Sequence, residues 1–536
     1  MADRAMVLSG KHLIDGVWSS ESNEVFDVLS PENGSTLGPC FSEATDGEVE
    51  RAVDTANRAF LVSRETPPAS RVRFLNSLAD AIEAEGHQLL DRCISETGYQ
   101  PLRAKGELQR TITQTRQFAL VLEEGSWVNA RIDRADGARR PIPKPDVRSM
   151  LQPLGAVGVM GASNFPFAIS VAGTDTVTAL AVGCSVVVKA HPAHAGTCEM
   201  LAEIIRHTLE SCGLPLGLFS LIQGKSNRVG ERLVTHPALR ALAFTGSESG
   251  GRALCKLAAN RVDPIPVFAE MGSVNPVVVL PEAAENKTEE IAKGFLDSLL
   301  LGGGQFCTNP GLLLVPDTEA GDKMTELIKI GIRNASVPTL LHRGISKGYT
   351  CGVENRLEGN PGQYVESENE SGSACAARPA MISLDAKDVQ PRMLKELFGP
   401  FSVLVRWRNA EEIMGVIGQL SGQLTCTLHA EGNEWGHWCE LVSELQLKSG
   451  RFLMNGFPTG VEPGHAMHHG GPFPAASLPH FTSIGMGAIT RFTRPMCYQD
   501  LPNGMLPDPL VDKNPLGIMR LIDGRLTREP IRSPVG

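Results

Sequence analysis

Ser185-Val186-Val187-Val188-Lys189 is a short run of β-branched side chains that ends on a charge. It is too short for a helix and too apolar for a strand with one wet face. It suits a strand covered on both faces of a parallel sheet. Similar runs flank it at Val157 to Met160, Leu218 to Ile222, Leu239 to Phe244 and Ile265 to Phe268, and helical patterns separate most of them. Alternating strand and helix predict βαβ units, hence an α/β fold with helices on both faces of a parallel sheet. A second series starts at Pro276 to Leu280 and continues through Leu312 to Val315, Phe401 to Trp407 and Leu424 to His429. Two such sheets fit the two or three domains expected of 536 residues.

The first third reads differently. Gly10 to Trp18 predicts a short strand or hairpin, and Thr45 to Ser63, Ala69 to Glu85 and Leu89 to Leu122 carry helical spacing. Thr45-Asp46-Gly47-Glu48 has the spacing of a capping box. Arg134 to Pro145 is charged and proline-rich, like a projecting loop, and Arg148 to Leu154 predicts an edge strand. Pro338 to Ala377 reads as a polar surface insertion, and the chain from Pro502 onward as a wrapped tail.

Composition excludes several functions. Fifty Lys and Arg against sixty Asp and Glu give a net charge of −10, so no basic field serves nucleic acid or anionic lipid. The twelve cysteines show no CxxC pair, which predicts a reduced, cytoplasmic protein without a zinc site or disulfide framework. Asp3, Arg4, His12 and Asp15 interrupt any signal-peptide core. Ser149 to Thr174 is uncharged and long enough to span a bilayer, but Pro153, Gly155, Gly158, Gly161, Asn164 and Pro166 break it up. No membrane partner is expected.

In the second series, Gly302-Gly303-Gly304-Gln305-Phe306-Cys307-Thr308-Asn309-Pro310-Gly311 sets a cysteine between glycines that admit close backbone approach and a proline that stops a helix. Cysteine is the strongest nucleophile among ordinary side chains and suits attack on an electrophilic carbon.

Five further motifs keep it company. They are Ser163-Asn164-Phe165-Pro166-Phe167, Val186-Val187-Val188-Lys189, Phe244-Thr245-Gly246-Ser247 with Gly251, Phe268-Ala269-Glu270-Met271-Gly272, and Glu396-Leu397-Phe398-Gly399-Pro400. In this order they resemble the aldehyde dehydrogenase superfamily across essentially the whole chain. The resemblance implies two Rossmann-like parallel-sheet domains plus a small β oligomerisation arm. Residues 1–132 and 155–271 would form the dinucleotide-binding domain, 272–484 the catalytic domain, 133–154 with 485–500 the arm, and 501–536 a tail.

It further implies that Cys307 adds to an aldehyde, that Asn164 holds the developing oxyanion, and that Glu270 directs water onto the thioester. Burial is expected to raise the Glu270 pKa towards neutrality. Lys189 joins this catalytic set and serves the adenine-ribose hydroxyls. Gly246, Ser247 and Gly251, after a strand and at a helix start, would face pyrophosphate with backbone amides, with Phe244 beside them. Glu396 would take the nicotinamide ribose and Phe398 the ring. NAD-preferring members carry a glutamate where this chain has Pro192. Its absence removes a repulsion against a 2′-phosphate, so NADP is expected ahead of NAD, with Lys225 and Arg228 as phosphate partners.

The segments Asn455-Gly456-Phe457-Pro458 and His468-His469-Gly470-Gly471 look like the branch holding α-ketoglutaric semialdehyde (2,5-dioxovalerate) dehydrogenases and NADP-linked fatty aldehyde dehydrogenases. An imidazole at His469 near the thiol is a candidate for taking its proton. Phe165, Ile169, Phe306 and Phe457 are expected to wall the aldehyde channel, and Arg116 is a candidate clamp for an α-keto carboxylate. Long-chain aldehyde oxidation, CoA-dependent acylation and a catalytically silent binding protein are the alternatives. Self-association as a homodimer or dimer of dimers is expected; no metal is.

Overall fold

A computed structural model describes residues 6–359 and 361–531. Asp3, Arg4 and positions 532–536 of the expected tail lie outside the described residues. In the first sheet, Val267–Glu270, Leu239–Thr245, Ala156–Met160, Ser185–Lys189 and Phe219–Ile222 run parallel in that spatial order. The hairpin His12–Ile14 and Val17–Ser19 closes the far edge antiparallel. Val186, Val187 and Val188 are at most 1% exposed, as a strand covered on both faces requires. Strand order reverses between Ala156–Met160 and Leu239–Thr245. The loops leaving their carboxyl ends therefore border a crevice, the usual ligand position in open α/β sheets.

The second sheet runs Gln363–Glu366, Ala380–Asp385, Phe401–Trp407, Leu312–Pro316, Pro276–Val279, Gln423–His429, Ser449–Met454, with only the first strand antiparallel. Thr45 and Glu48 form the expected reciprocal cap on helix Asp46–Ser63.

Three expectations change. Val147–Pro153 is no edge strand: it lies between Thr493–Gln499 and Arg131–Asp133, paired with the first over seven residues. The tail does more than wrap, because Arg520–Ile522 and Arg525–Thr527 extend the same sheet. Nor is 338–377 a mere surface insertion. It holds helix Arg343–Leu357 and strand Gln363–Glu366, and its buried Leu341 N–H donates to the Gln305 side chain at 2.9 Å, bracing the cysteine loop. Among the described residues, no helix is long and apolar enough to cross a membrane.

Candidate active site

The loop entering the cysteine is built by backbone that other residues resist. Gly302, Gly303 and Gly304 all have positive φ, from 57° to 69°, and a Cβ on Gly304 would fall 2.4 Å from the Gly399 carbonyl. Gln305 Nε2 donates to the Gly302 carbonyl at 3.2 Å. From the other side, Asn275 donates from Nδ2 to the carbonyls of Cys307 and Asn309, at 2.8 and 2.9 Å. Asn275 itself sits in the left-handed region, with φ of 52°, where asparagine is among the tolerated residues. The sulfur is thus held from both flanks before any ligand arrives.

Cys307, Glu270 and His469 meet there. Their ligating atoms all lie within 4.8 Å of one another. Glu270 ends strand Val267–Glu270 on the first sheet and Cys307 precedes strand Leu312–Pro316 of the second, so the pair faces across the join. His469 Nε2 stands 3.0 Å from Glu270 Oε1 and 3.4 Å from Cys307 Sγ. A carboxylate only accepts, so Nε2 carries a hydrogen and donates it to Glu270. That leaves no lone pair at Nε2 for the thiol proton. The imidazole expected to act as base instead holds the base in place.

The Glu270 carboxyl departs from expectation in the same way. Burial pushes its pKa up, but the charge of His469 and hydrogen bonds from His469, Ser483 Oγ and Cys307 outweigh burial and hold it below the ordinary carboxylate range. Burial, then the neighbouring Glu270 charge, push the Cys307 thiol well up. The resting pair is therefore thiol and carboxylate.

Asn164 is 6% exposed and follows strand Ala156–Met160. Its Nδ2 donates to the Gln305 carbonyl at 3.0 Å, which spends one of two amide hydrogens and aims the group at the cysteine loop. Arg103, which the sequence reading passed over, ties the two loops together. Its guanidinium donates to the Gly302 and Asn164 carbonyls at 3.0 and 3.2 Å and lies 3.8 Å from the Tyr99 ring centre.

Lys189 stands apart from this cluster. Its Nζ donates to the Gly224 carbonyl at 2.6 Å, and burial lowers its pKa to about 8 despite the nearby Glu43. Its hydrogen bonds go to the Gly224 and Ala190 carbonyls and not to the cysteine cluster. Pro192 opens a single helical turn and brings no carboxylate, but Glu43 supplies one from elsewhere in the chain. That carboxylate is occupied by Ser226 Oγ and by the N–H groups of Lys225 and Ser226. Lys225 and Arg228 are exposed at this edge, Arg228 lying 3.5 Å from Asp46. Two amides expected to face pyrophosphate are already committed: Gly246 N–H donates to the Glu270 carbonyl at 3.1 Å, and Gly251 N–H to the Ser247 carbonyl at 3.0 Å. Ser247 caps helix Glu248–Ala259 through Gly250 N–H at 3.2 Å. Phe244 packs on the same turn, 2.7 Å from where a Gly246 Cβ would stand.

One buried acceptor in the groove fits a dinucleotide. Beyond Cys307, a small pocket is lined by Ser273, Gly304, Phe306, Glu396 and Phe398. Burial raises the Glu396 carboxyl to about 7, and its one hydrogen bond among the described residues, from Ser273 N–H, is long at 3.4 Å. Such a group lacks partners that ribose hydroxyls would provide. Among the expected channel residues, Phe165 and Ile169 cluster with Phe306, whose ring meets Phe165 edge-on at 5.6 Å. Phe457 does not join them. It packs on Gly294 and 4.9 Å from the His429 ring, in the catalytic sheet's own helix layer. Arg116 is likewise displaced from its expected role, because it pairs with Asp80 and Glu83 on the surface.

A cysteine and a carboxylate facing across two α/β sheets, beside a nucleotide crevice, define a class of enzyme that oxidises carbonyl carbons through a sulfur adduct. Residues 18–471 match the aldehyde dehydrogenase family, and the chain belongs to it. It is an aldehyde-oxidising oxidoreductase that uses NAD(P). Alpha-ketoglutaric semialdehyde dehydrogenase 2 of Azospirillum brasilense is 44% identical over 97% of this chain and 100% of its own length. Alpha-ketoglutaric semialdehyde dehydrogenase of Acinetobacter baylyi is 41% identical over 97% and 99%. Among solved structures, the NADP-dependent glyceraldehyde-3-phosphate dehydrogenase of Bacillus halodurans superposes with a TM-score of 0.78 at 21% identity, over 92% of this chain and all of that one.

Proposed function

We propose that the enzyme oxidises 2,5-dioxovalerate to 2-oxoglutarate with NADP ahead of NAD, as a cytoplasmic homodimer or dimer of dimers. The observation that carries the chemistry is the meeting of Cys307, Glu270 and His469. Two relatives above 40% identity, named for this substrate and matching over their whole lengths, support the choice of aldehyde. The open edge strand Thr493–Gln499 supports self-association, since an unpaired strand edge invites another chain.

Cys307 Sγ bonds to the aldehyde carbon while its proton passes to Glu270. The remaining Asn164 amide hydrogen and the Cys307 N–H stabilise the resulting oxyanion, a kind of contact worth roughly 3 kcal/mol in a barrier. Lys189, Glu396 and the helix start at Ser247 would hold the dinucleotide, which supplies a hydride acceptor when bound. With its hydride lost to that acceptor, the carbon stands as a thioester on Cys307; Glu270, once free of its proton, takes one from water, the new C–O bond forms, the C–S bond breaks, and the sulfur leaves as thiolate to be reprotonated. A carboxylate beside the sulfur favours hydrolysis over transfer to CoA.

A steady-state panel of 2,5-dioxovalerate, succinate semialdehyde and long-chain aldehydes with NAD and NADP tests the reading. It expects the highest kcat/KM with 2,5-dioxovalerate and NADP. A long-chain optimum or a preference for NAD would count against the corresponding half.

His469 gives a pH prediction. In His469→Ala the carboxylate loses the donor that offsets burial, so the Glu270 pKa rises and the acid limb of the kcat–pH profile moves up by about one unit. An unmoved acid limb would show that the imidazole does not hold Glu270.

A further inference from the structure

Helix Pro101–Glu124 presents three charged residues to the loop that follows Ala156–Met160. Arg103 is fully engaged with the Gly302 and Asn164 carbonyls and the Tyr99 hydroxyl. Glu107 accepts from Phe167 and Ala168 N–H at 2.8 and 3.0 Å. Arg110, on the same helix face two turns beyond Arg103, is different. Its Nε and Nη2 are shut off from solvent and have no hydrogen-bond partner, and its guanidinium makes no ion pair among the described residues. Two buried guanidinium nitrogens without acceptors are costly, and native structures rarely keep them without a use.

Its surroundings say what the use is. The guanidinium carbon lies 5.9 Å from the centre of the Phe165 ring. That ring belongs to the apolar group of Phe165, Ile169, Phe306, Val461 and Ile484 beside Cys307. Burial lowers the Arg110 pKa, whereas the charges of Glu107, then Cys307, Glu270 and Glu462, raise it, so the guanidinium lies within electrostatic reach of the cysteine site as well as of its helix neighbour.

We propose that Arg110 is the specificity-determining residue of this site: it receives the carboxylate at the far end of the aldehyde substrate, within an otherwise apolar channel. A planar fork of N–H donors matches a carboxylate in two parallel hydrogen bonds, and a 2-keto acid brings such a carboxylate. This rests on the reading that an acid-bearing aldehyde is the substrate. It assigns the recognition sought at Arg116 to a residue six positions earlier on the same helix.

Arg110→Met and Arg110→Lys, assayed with NADP against 2,5-dioxovalerate and uncharged pentanal, test it. In Arg110→Met, KM for 2,5-dioxovalerate is expected to rise about 10- to 100-fold with little change in kcat, pentanal kinetics staying within about twofold. Arg110→Lys recovers part of the loss as a single charge. Glutarate, a non-reacting dicarboxylate, should inhibit the wild type competitively and the Met variant more weakly by a similar factor. Equal losses for both aldehydes would make Arg110 merely structural and overturn the proposal, as would an unchanged KM for the acid. A wild type that favours pentanal over 2,5-dioxovalerate refutes instead the substrate reading on which the proposal stands.

Discussion

Glu270→Gln is expected to turn the enzyme into a single-turnover catalyst. Mixed with aldehyde and NADP, it should release one equivalent of NADPH per active site in a burst and then slow by about 10²- to 10⁴-fold, the range that a lost general base typically costs. The amide keeps the size of the carboxylate and its contact with His469, so the fold and the groove should survive. Two acts are assigned to Glu270, taking the thiol proton and taking the water proton. Only the first can be bypassed by raising the pH, because a thiol can ionise by itself whereas water cannot at any working pH. A burst that quickens with pH, followed by a steady state that stays slow, is the signature. A linear time course with no burst would show that hydrolysis does not depend on this carboxylate.

Cys307→Ala should be silent in every phase. With no sulfur there is no adduct, no hydride to transfer and no burst, and the steady rate is expected to fall by roughly 10⁴-fold or more, as when nucleophiles are removed elsewhere. Cofactor binding, followed by quenching of tryptophan fluorescence, should persist, because Lys189 and Glu396 are untouched. Loss of binding together with activity would point to a collapsed loop rather than to a missing nucleophile. The distinction matters here, since the Cys307 backbone carbonyl is itself an anchor for Asn275.

Much of this was legible in the chain itself, for physical reasons that differ by residue. Val186 to Val188 announce a doubly covered strand because burial on both faces leaves no room for alternation. Ser449–Met454 escaped notice because it is a sheet edge, with a glycine, an arginine and only partial burial, so no apolar run marks it. Ala380–Asp385 was hidden by the polar residues before it. The glycines before Cys307 signalled their backbone in advance, and the structure uses all three.

Side chains acting through long-range contacts were another matter. Asn275, Arg103 and Ser483 reach the site from segments with no motif around them, and nothing in local spacing ties Arg103 to Gly302. Arg110 is one of several charges along its helix, and nothing local sets it apart. Only the fold shows that its Nε and Nη2 are buried and without a hydrogen-bond partner. The Glu270 pKa was expected to move up because burial alone was in view; the opposing donors come from His469 and Ser483, some two hundred residues away. Phe457 was expected in the channel, and it packs instead against the helix side chains of the second sheet.

The central claim is that aldehyde carbon becomes bonded to one sulfur and is freed by one carboxylate. Mass spectrometry of Glu270→Gln, quenched in acid after mixing with 2,5-dioxovalerate and NADP and then digested, tests it most directly. The account predicts the acyl mass of the oxidised substrate on the peptide that contains Cys307, at close to one per chain and absent without NADP. An adduct on another of the twelve cysteines, or none while NADPH still forms in a burst, would contradict it.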